Sequence, residues 1–318
     1  MIPRFLRSSQ SISLTASIAG QTYNLNNGGS IRLEMYDLGL ASTQRLSQRS
    51  PGQLGDTDLG GLTDPRFVEL KWRITGRDLD HYRELRETFM TVFRNRGEAV
   101  ALTFDFGGGR VRSTDVHLDG LLNFQERRRT MEVVSGILKA SDPRLYDPTL
   151  RTVEFALLDS SGGLPIPFSI PIPIGQDALS TIQSITYAGG SYLAAAEYPL
   201  IIINGPIDNP IVRNLTTGER IALTANGGLM LDSGEFVTID LSGFPRRDNK
   251  TIRDQDGNNA SQYLSTDSDL ASWHLAYAGE LLPDGTYASG VNSISCAGSN
   301  VTLATSVELR YYDRYEGV

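Results

Sequence analysis

The alternation of apolar and polar residues in the first third of the chain predicts a β-sheet. Val68, Leu70, Trp72 and Ile74 alternate with charged residues, and this period of two is typical of a half-buried strand. Similar patterns predict further strands over residues 31–36, 100–106 and 129–138. These strands follow one another closely enough to form one sheet.

A single helix is predicted directly after the strand that contains Trp72. Thr75 is suited to the N-cap position and Asp78 to the third helical position, as in a shortened capping box. Gly97 is suited to the position after the helix. Six apolar residues fall within an arc of about 140° on a helical projection: Leu79, Tyr82, Leu85, Phe89, Val92 and Phe93. This face is expected to pack on the sheet.

The second half of the chain is predicted to be β throughout. Short apolar runs, among them residues 200–203, 236–241 and 273–277, are separated by Asn-Gly and Asp-Gly turns, which is typical of a sandwich or barrel. Alternating prolines between residues 165 and 173 predict an extended edge or arm.

The predicted boundary between the two halves lies in a tract with two Asp-Pro steps and no periodicity, residues 140–149. The chain is therefore expected to form two domains, residues 1–145 and residues 146–318. A length of 318 residues is ordinary for two domains.

Composition argues against a protein that holds nucleic acid on a broad basic face. The formal net charge is −8, and phosphate binding needs clustered Lys and Arg. An acidic passage that lets DNA slide without sticking stays compatible with this charge. The single cysteine, Cys296, excludes an internal disulfide and predicts a buried apolar thiol.

Neither a membrane segment nor a secretion signal is expected. No apolar run approaches the roughly 20 residues that cross a bilayer, and the segment from Met1 to Arg7 lacks the apolar core of a signal peptide. Folding in a cytoplasm is the expectation that follows.

Catalytic, cofactor and metal motifs do not stand out. The three histidines, His81, His117 and His274, share no spacing, and no zinc-protease, nucleophile-elbow or phosphate-loop motif is present. The sequence from Asp254 to Asn258 is weakly similar to a calcium loop, but a plain Asp-Gly turn is favoured. We therefore expect no enzyme activity and no cofactor.

Contact residues are better candidates than catalytic ones. The polar tract 43–64 is long enough to be functional or disordered. The basic run at residues 127–129 fits a solvated strand end or a salt-bridge donor, with DNA contact as the alternative. The C-terminal tyrosines suit a terminal strand or a partner contact. The candidate interface residues are Arg49, Asp56, Asp58, Arg66, Arg127, Arg128, Arg129, Tyr312 and Tyr315.

Five tracts together resemble the distal tail protein family of long-tailed, siphovirus-type bacteriophages. The first is Gly-Asp-Thr-Asp-Leu-Gly with the later Asp-Pro-Arg, within residues 55–66, and the second is the tract at 140–148. The others lie at residues 204–218, 234–240 and 310–318. Their order along the chain, as much as each tract, carries the resemblance.

This resemblance implies a mainly β fold and a structural role in the virion. The N-terminal domain would be a tail-tube-like β-barrel or sandwich with one packed helix, and the C-terminal domain a galectin-like β-sandwich. Six copies would form a homohexameric ring at the distal end of the tail. The ring would join the tail tube protein to the tail-tip hub or baseplate protein and dock receptor-binding or other adsorption proteins. DNA would pass through without specific binding, and assembly would take place in the host cytoplasm.

A second reading treats the chain as a tail-associated carbohydrate-binding module that recognises host surface glycan. Galectins bind sugar through a His-x-Asn-x-Arg strand, and the sequence around His274 does not match that pattern. The galectin-like domain is therefore expected to share the shape of a galectin without its sugar site.

Overall fold

The computed structural model of the chain describes residues 4–5, 12–51, 54, 56–94, 97–157, 181–242 and 250–317, with the backbone alone at positions 4, 5, 61, 126, 127 and 181. The proline-rich stretch between residues 165 and 173 lies outside the described residues. The chain divides into two compact units, which are Met1–Pro148 together with Tyr315–Val318, and Thr149–Arg314. The sequence placed the division between residues 145 and 146 and assigned the last residues to the second domain.

Unit 1 is built around one antiparallel sheet and a helix. Its elements are β1 (Arg4–Phe5), β2 (Ser13–Ile18), β3 (Gln21–Asn24), β4 (Ile31–Asp37), β5 (Thr43–Gln48), β6 (Thr57–Thr63), β7 (Arg66–Thr75), α1 (Leu79–Val92), β8 (Val100–Asp105), β9 (Val111–Leu118), β10 (Asn123–Arg128), β11 (Met131–Ala140) and β12 (Leu145–Tyr146). The strand order is β1-β4-β7-β11-β9-β8-β2-β3, with β10 paired to β11 and β12 to β9. Strands β5 and β6 pair with each other as a separate hairpin.

Strand β7 forms the centre of the unit 1 core. As the alternation predicts, Val68, Leu70, Trp72 and Ile74 are fully buried, with no exposed surface. The strand pairs along its whole length with β11 and over most of it with β4. Its buried face is covered by the helix, and this fixes α1 against the sheet.

The contact between helix and sheet is aromatic. The ring of Trp72 lies 5.1 Å from that of Phe89, in an edge-to-face arrangement, and 5.5 Å from that of Phe93. Such pairs add to the stabilisation from buried apolar area. Phe89 has no exposed surface, whereas its neighbour Met90 is 54% exposed.

The helix begins later than the sequence predicted. Its N-cap is Asp78, whose Oδ1 accepts a 2.8 Å hydrogen bond from the backbone N–H of His81. Thr75 cannot take this role because it is the last residue of β7, where it pairs with Met131. The helix ends at Val92, with Phe93 as C-cap, well before Gly97. The sheet therefore determines where the helix can start.

The described residues of unit 2 form two antiparallel five-stranded sheets. Its strands are β13 (Arg151–Ala156), β14 (Thr181–Thr186), β15 (Leu200–Asn204), β16 (Ile207–Asn214), β17 (Arg220–Ala222), β18 (Met230–Leu231), β19 (Phe236–Asp240), β20 (Thr251–Asp254), β21 (Val291–Ser299) and β22 (Ser306–Tyr311). In strand β23 (Arg314–Tyr315), the first residue belongs to unit 2 and the second to unit 1. One sheet has the order β13-β22-β15-β19-β20 and the other β14-β21-β16-β17, with β18 on β16.

Alternate residues of both sheets face the interior of unit 2. Ile201 and Ile203 of β15 and Ile294 and Cys296 of β21 have no exposed surface, so the unit is a β-sandwich. Burial raises the pKa of the Cys296 thiol to about 12, which makes it unreactive. The predicted strand at 273–277 does not form. The backbone of this segment is irregular and makes one isolated bridge, between Leu275 and Glu197.

His274 holds that irregular segment in place. Its Nδ1 lies 2.8 Å from the carbonyl oxygen of Ser272 and 3.1 Å from a carboxylate oxygen of Glu219, and its Nε2 lies 2.7 Å from Glu280. Since all three partners are acceptors, both ring nitrogens carry a proton. Burial alone would lower the pKa of His274, but the two carboxylates outweigh it and raise the pKa to about 10.

Because His274 is charged in the folded protein, we expect the free energy of unfolding to fall at alkaline pH. A folded-state pKa near 10, against 6.5 for the free side chain, gives a stabilisation that is complete below pH 6.5 and lost as the pH rises through 10. We expect the His274→Gln variant to lack this loss, which in the wild type is on the order of a few kcal/mol. Urea unfolding of both proteins between pH 6 and 10.5 measures it. Parallel pH profiles for the two proteins would contradict this assignment.

The aromatic contact predicts a second, position-specific effect. Phe89→Ala is expected to lower the free energy of unfolding of unit 1 by about 3–5 kcal/mol, because it empties a buried site beside Trp72. Met90→Ala, on the exposed side of the same helix, should change it by about 0.5 kcal/mol or less. Tryptophan fluorescence in a Trp273→Phe background follows Trp72 alone. Equal effects of the two substitutions would rule out the helix packing described.

Candidate subunit interface

The polar tract 43–64 forms a β-hairpin, which we call the arm and define as residues 43–63. Strand β5 pairs with β6 from Thr43 opposite Thr63 to Gln48 opposite Thr57, with a register shift between Arg45 and Ser47. The two strands form a sheet of their own. The arm is therefore an ordered ribbon, where the sequence indicated a loop.

Both strands of the arm are exposed to solvent. Every residue of β5 is exposed, and the arm has four leucines outside any core. Leu46 is 42% exposed, Leu59 is 56%, Leu62 is 58% and Leu54, at the tip, is 99%. A single two-stranded hairpin is marginally stable in water. Four exposed leucines on such a ribbon make the arm a candidate contact surface.

The arm is closed at its base by Asp64. The backbone N–H of Asp64 donates to the carbonyl of Ser42 at 2.8 Å, and its carboxylate accepts from the side chains of Ser42 at 2.5 Å and Gln44 at 3.0 Å. The end of β6 is thereby joined to the residue before β5. This arrangement holds the two ends of the arm together.

Three of the predicted contact residues lie on the arm. Asp58 binds Arg45 across the two strands at 2.7 Å, and the backbone N–H of Gly60 together with Arg45 holds the pKa of its carboxyl below the usual range. Arg49 follows β5 and Asp56 precedes β6, and both are exposed. The structure therefore brings Arg49, Asp56 and Asp58 together on one projection.

Arg66 was predicted as a contact residue, and the structure corrects this. Only 2% of Arg66 is exposed. Its guanidinium donates to four backbone carbonyls, at 2.5 to 3.1 Å, all within unit 1: those of Pro143, Leu38, Gly39 and Glu316. Burial lowers the pKa of Arg66, with Glu316 acting in the opposite direction. Arg66 ties distant segments of one subunit together and is not available to a neighbour.

The basic run lies at the turn between β10 and β11. Arg128 pairs with Met131 across the turn, and both Arg128 and Arg129 are exposed. Arg129 has a backbone φ of 35°, a conformation that costs energy for a residue with a side chain. Arg127 belongs to β10, and its side chain lies outside the described residues. The turn is thus a second exposed site, separate in sequence from the arm.

The two C-terminal tyrosines are partly buried within their own chain. Tyr315 lies under the guanidinium of Arg112, whose central carbon is 3.6 Å from the ring centroid. The backbone N–H of Tyr312 donates to Glu197 at 3.3 Å. These contacts give both tyrosines a role in fixing the end of the chain, and their role toward a partner stays a prediction.

The sequence interpretation missed the leucines of the arm and the partner of Asp58. Leu46, Leu59 and Leu62 are isolated apolar residues in a polar tract, and this isolation is the sequence feature that could have identified them as contact residues. Within the described part of the chain, no three His, Cys, Asp or Glu side chains are placed to share a metal ion. In the same residues, no helix is long and apolar enough to cross a membrane.

Comparisons by sequence and by structure differ in outcome. No protein-family model matches the chain, and no curated protein sequence matches it. Among solved structures, the Dit protein of phage SPP1, described as a paradigm of the hub adsorption apparatus in phages that infect Gram-positive bacteria, matches with a TM-score of 0.56. Its identity is 11%, over 96% of this chain and 100% of that chain.

A chain of the phage p2 baseplate, in its activated conformation with Sr, is also similar. Its TM-score is 0.48 at 12% identity, over 97% of this chain and 100% of that chain. At 11% identity the match to SPP1 Dit establishes a shared fold. The chain has the fold of a phage Dit protein along nearly its whole length.

Proposed function

We propose that this protein is a structural component of a phage tail tip, and that six copies form a ring at the distal end of the tail. The observation that carries the proposal is the arm, an ordered hairpin with exposed leucines and no core of its own. The fold shared with SPP1 Dit supports the same role. The proposed function requires no catalysis and no cofactor.

The arm is suited to contact a second copy of the chain. Its two ends are held together by hydrogen bonds to Asp64, and Arg66 anchors the chain beside them to the carbonyls of Leu38 and Gly39. Its leucines would be buried on a neighbouring subunit, at roughly 25 cal/mol for each Å² of apolar surface removed from water. The unpaired edges of β5 and β6 could also extend a neighbour's sheet.

A contact of this kind can build a ring. The arm and the surface that receives it are different parts of the chain, so each subunit binds one neighbour with its arm and the next with its receiving surface. Such head-to-tail contacts close into a ring when the rotation between copies is right. The net charge of −8 suits a hole through which DNA slides, because like charges repel.

The ring would join the tail tube protein on one side to the tail-tip hub protein on the other. The β-sandwich of unit 2 would provide a place to dock receptor-binding or other adsorption proteins. The exposed turn with Arg128 and Arg129, and the tyrosines Tyr312 and Tyr315, are further candidate contacts. These partners follow from the proposed position in the tail.

Removal of the arm tests the ring directly. Light scattering after size exclusion should give about 209 kDa for the wild type, six times the chain mass of 34.8 kDa. A variant lacking residues 47–61 should elute as a monomer with an unchanged near-ultraviolet circular dichroism spectrum, because these residues include no aromatic side chain and the arm contributes nothing to the unit 1 core.

Substitutions in the arm distinguish the effect of its apolar side chains from the effect of shortening the chain. Serine at Leu46, Leu59 and Leu62 together should also weaken the ring, whereas Leu303→Ser, at an 82% exposed leucine in unit 2, should leave it intact. Negative-stain electron microscopy should show six-fold rings for the control. A deletion variant that still assembles would refute the role of the arm, and a wild type that is monomeric at all concentrations would refute the ring.

A further inference from the structure

Unit 2 presents three large apolar side chains close together on its surface. Tyr192 is 83% exposed, Tyr287 is 73% exposed and Leu281 is 63% exposed. We call these three residues the aromatic platform. Neither phenol hydroxyl has a hydrogen-bond partner among the residues that the structure describes, so both are available to a ligand.

Two residues of the platform face each other across a hairpin. Leu281 and Tyr287 form an isolated antiparallel bridge, so their side chains share one face of the hairpin. The adjoining residues turn inward: Ala288 is 5% exposed, and Glu280 binds His274 at 2.7 Å. The face with Leu281 and Tyr287 is therefore the outer face of the hairpin.

Tyr192 completes the platform at the base of this hairpin. A Cβ atom at Gly279 would lie 3.0 Å from Cδ1 of Tyr192, so the ring lies against the backbone where glycine leaves room for it. Gly279 is two residues from Leu281, a Cα separation of at most about 7.6 Å. The two rings and the leucine thus fall within the span of a short oligosaccharide.

The hairpin turn is held rigidly, and with it Leu281 and Tyr287. Its turn is closed by the N–H of Gly285 bonding the carbonyl of Leu282 at 2.9 Å, with Pro283 at the turn position that favours proline. Asp284 accepts from the backbone N–H of Thr286 at 2.9 Å and from its hydroxyl at 2.7 Å. A surface fixed in advance loses little entropy when a ligand binds.

The charges around the platform limit the ligand. Residues 187–193 and 277–291, which carry it, include no Lys or Arg, and their charged residues are Glu280 and Asp284. A phosphate or carboxylate ligand would find no counter-charge in these segments. A neutral ligand, or one with an amino group, meets no such cost, and a cation can also be attracted to the face of a tyrosine ring.

The size of the platform favours a small ligand over a protein. Three side chains of this kind expose on the order of 500 Å² in total, whereas a stable protein interface buries about 800 Å² on each partner. A pyranose ring offers an apolar C–H face for the tyrosines and a rim of hydroxyls for phenol and carboxylate oxygens.

We propose that the aromatic platform binds neutral or amino-sugar residues of a glycan. The site is distinct from the His-x-Asn-x-Arg strand that galectins use, which this chain lacks. It does not depend on the ring, since Tyr192, Leu281 and Tyr287 lie in unit 2 and the arm lies in unit 1.

A glycan array and calorimetry test the proposal with the full chain. The array carries neutral, amino, phosphorylated and sialylated glycans, and chitotriose and its deacetylated form are the calorimetric probes. Binding to the neutral or amino members is expected, at least about tenfold weaker in Tyr192→Ala and Tyr287→Ala. Tyr192→Phe should keep most of the affinity because the ring remains, and Leu303→Ala should bind as the wild type.

Each possible result decides the matter. Loss in both alanine variants, with retention in Tyr192→Phe and unchanged light-scattering mass, would support the platform. The proposal would be overturned by binding only to anionic glycans, by no binding to any member of the array, or by equal affinity in the wild type and both alanine variants. The mass measurement separates this outcome from failure of the ring, because platform variants leave the arm intact.

Discussion

Strand β7 is the constraint on which the structure of unit 1 depends. It is paired with β11 over ten positions, and the elements on either side of it take their places from it. The arm returns to the body at Asp64, two residues before β7 begins at Arg66, and the helix is capped by Asp78, three residues after β7 ends at Thr75. The strand thus joins a rigid core to a projecting arm.

Arg66 shows how firmly that strand is anchored. A buried guanidinium is costly unless its donors are satisfied, and here four carbonyls from three separate segments of unit 1 accept from it. One acceptor, Glu316, is 250 residues away in sequence. The arm therefore starts from a point that is fixed by long-range bonds, although the arm itself has no core. A ring contact made by such an arm could be strong without loss of the subunit's own stability.

The parts of the fold that the sequence predicted are those with a buried face. The alternation around Trp72 and the apolar arc of the helix exist because one side of each element meets the core, so the pattern could be read directly. The arm has no buried side in the single chain. Its residues therefore do not alternate between apolar and polar, and the sequence predicted a loop. The same physical fact, the missing core, explains both the failed prediction and the proposed need for a partner.

Candidate site residues were harder to predict because the charge of a side chain does not reveal whether it is buried or exposed. Arg66 and Arg49 are both arginines near one polar tract, yet one is buried under backbone carbonyls and the other is exposed. Only long-range contacts distinguish them. Likewise Thr75 and Asp78 are both good capping residues by type, and pairing of Thr75 in the sheet selected Asp78.

The two exposed apolar surfaces of the chain differ in a way that suits different ligands. The leucines of the arm lie on a two-stranded ribbon without a core of its own, where a large neighbouring surface would cover them. Two of the three platform residues, Leu281 and Tyr287, lie on a short hairpin closed by Pro283 and Asp284, where rigidity compensates for a small contact area. Since the first is in unit 1 and the second in unit 2, selection could alter what the platform recognises without disturbing how the subunits assemble.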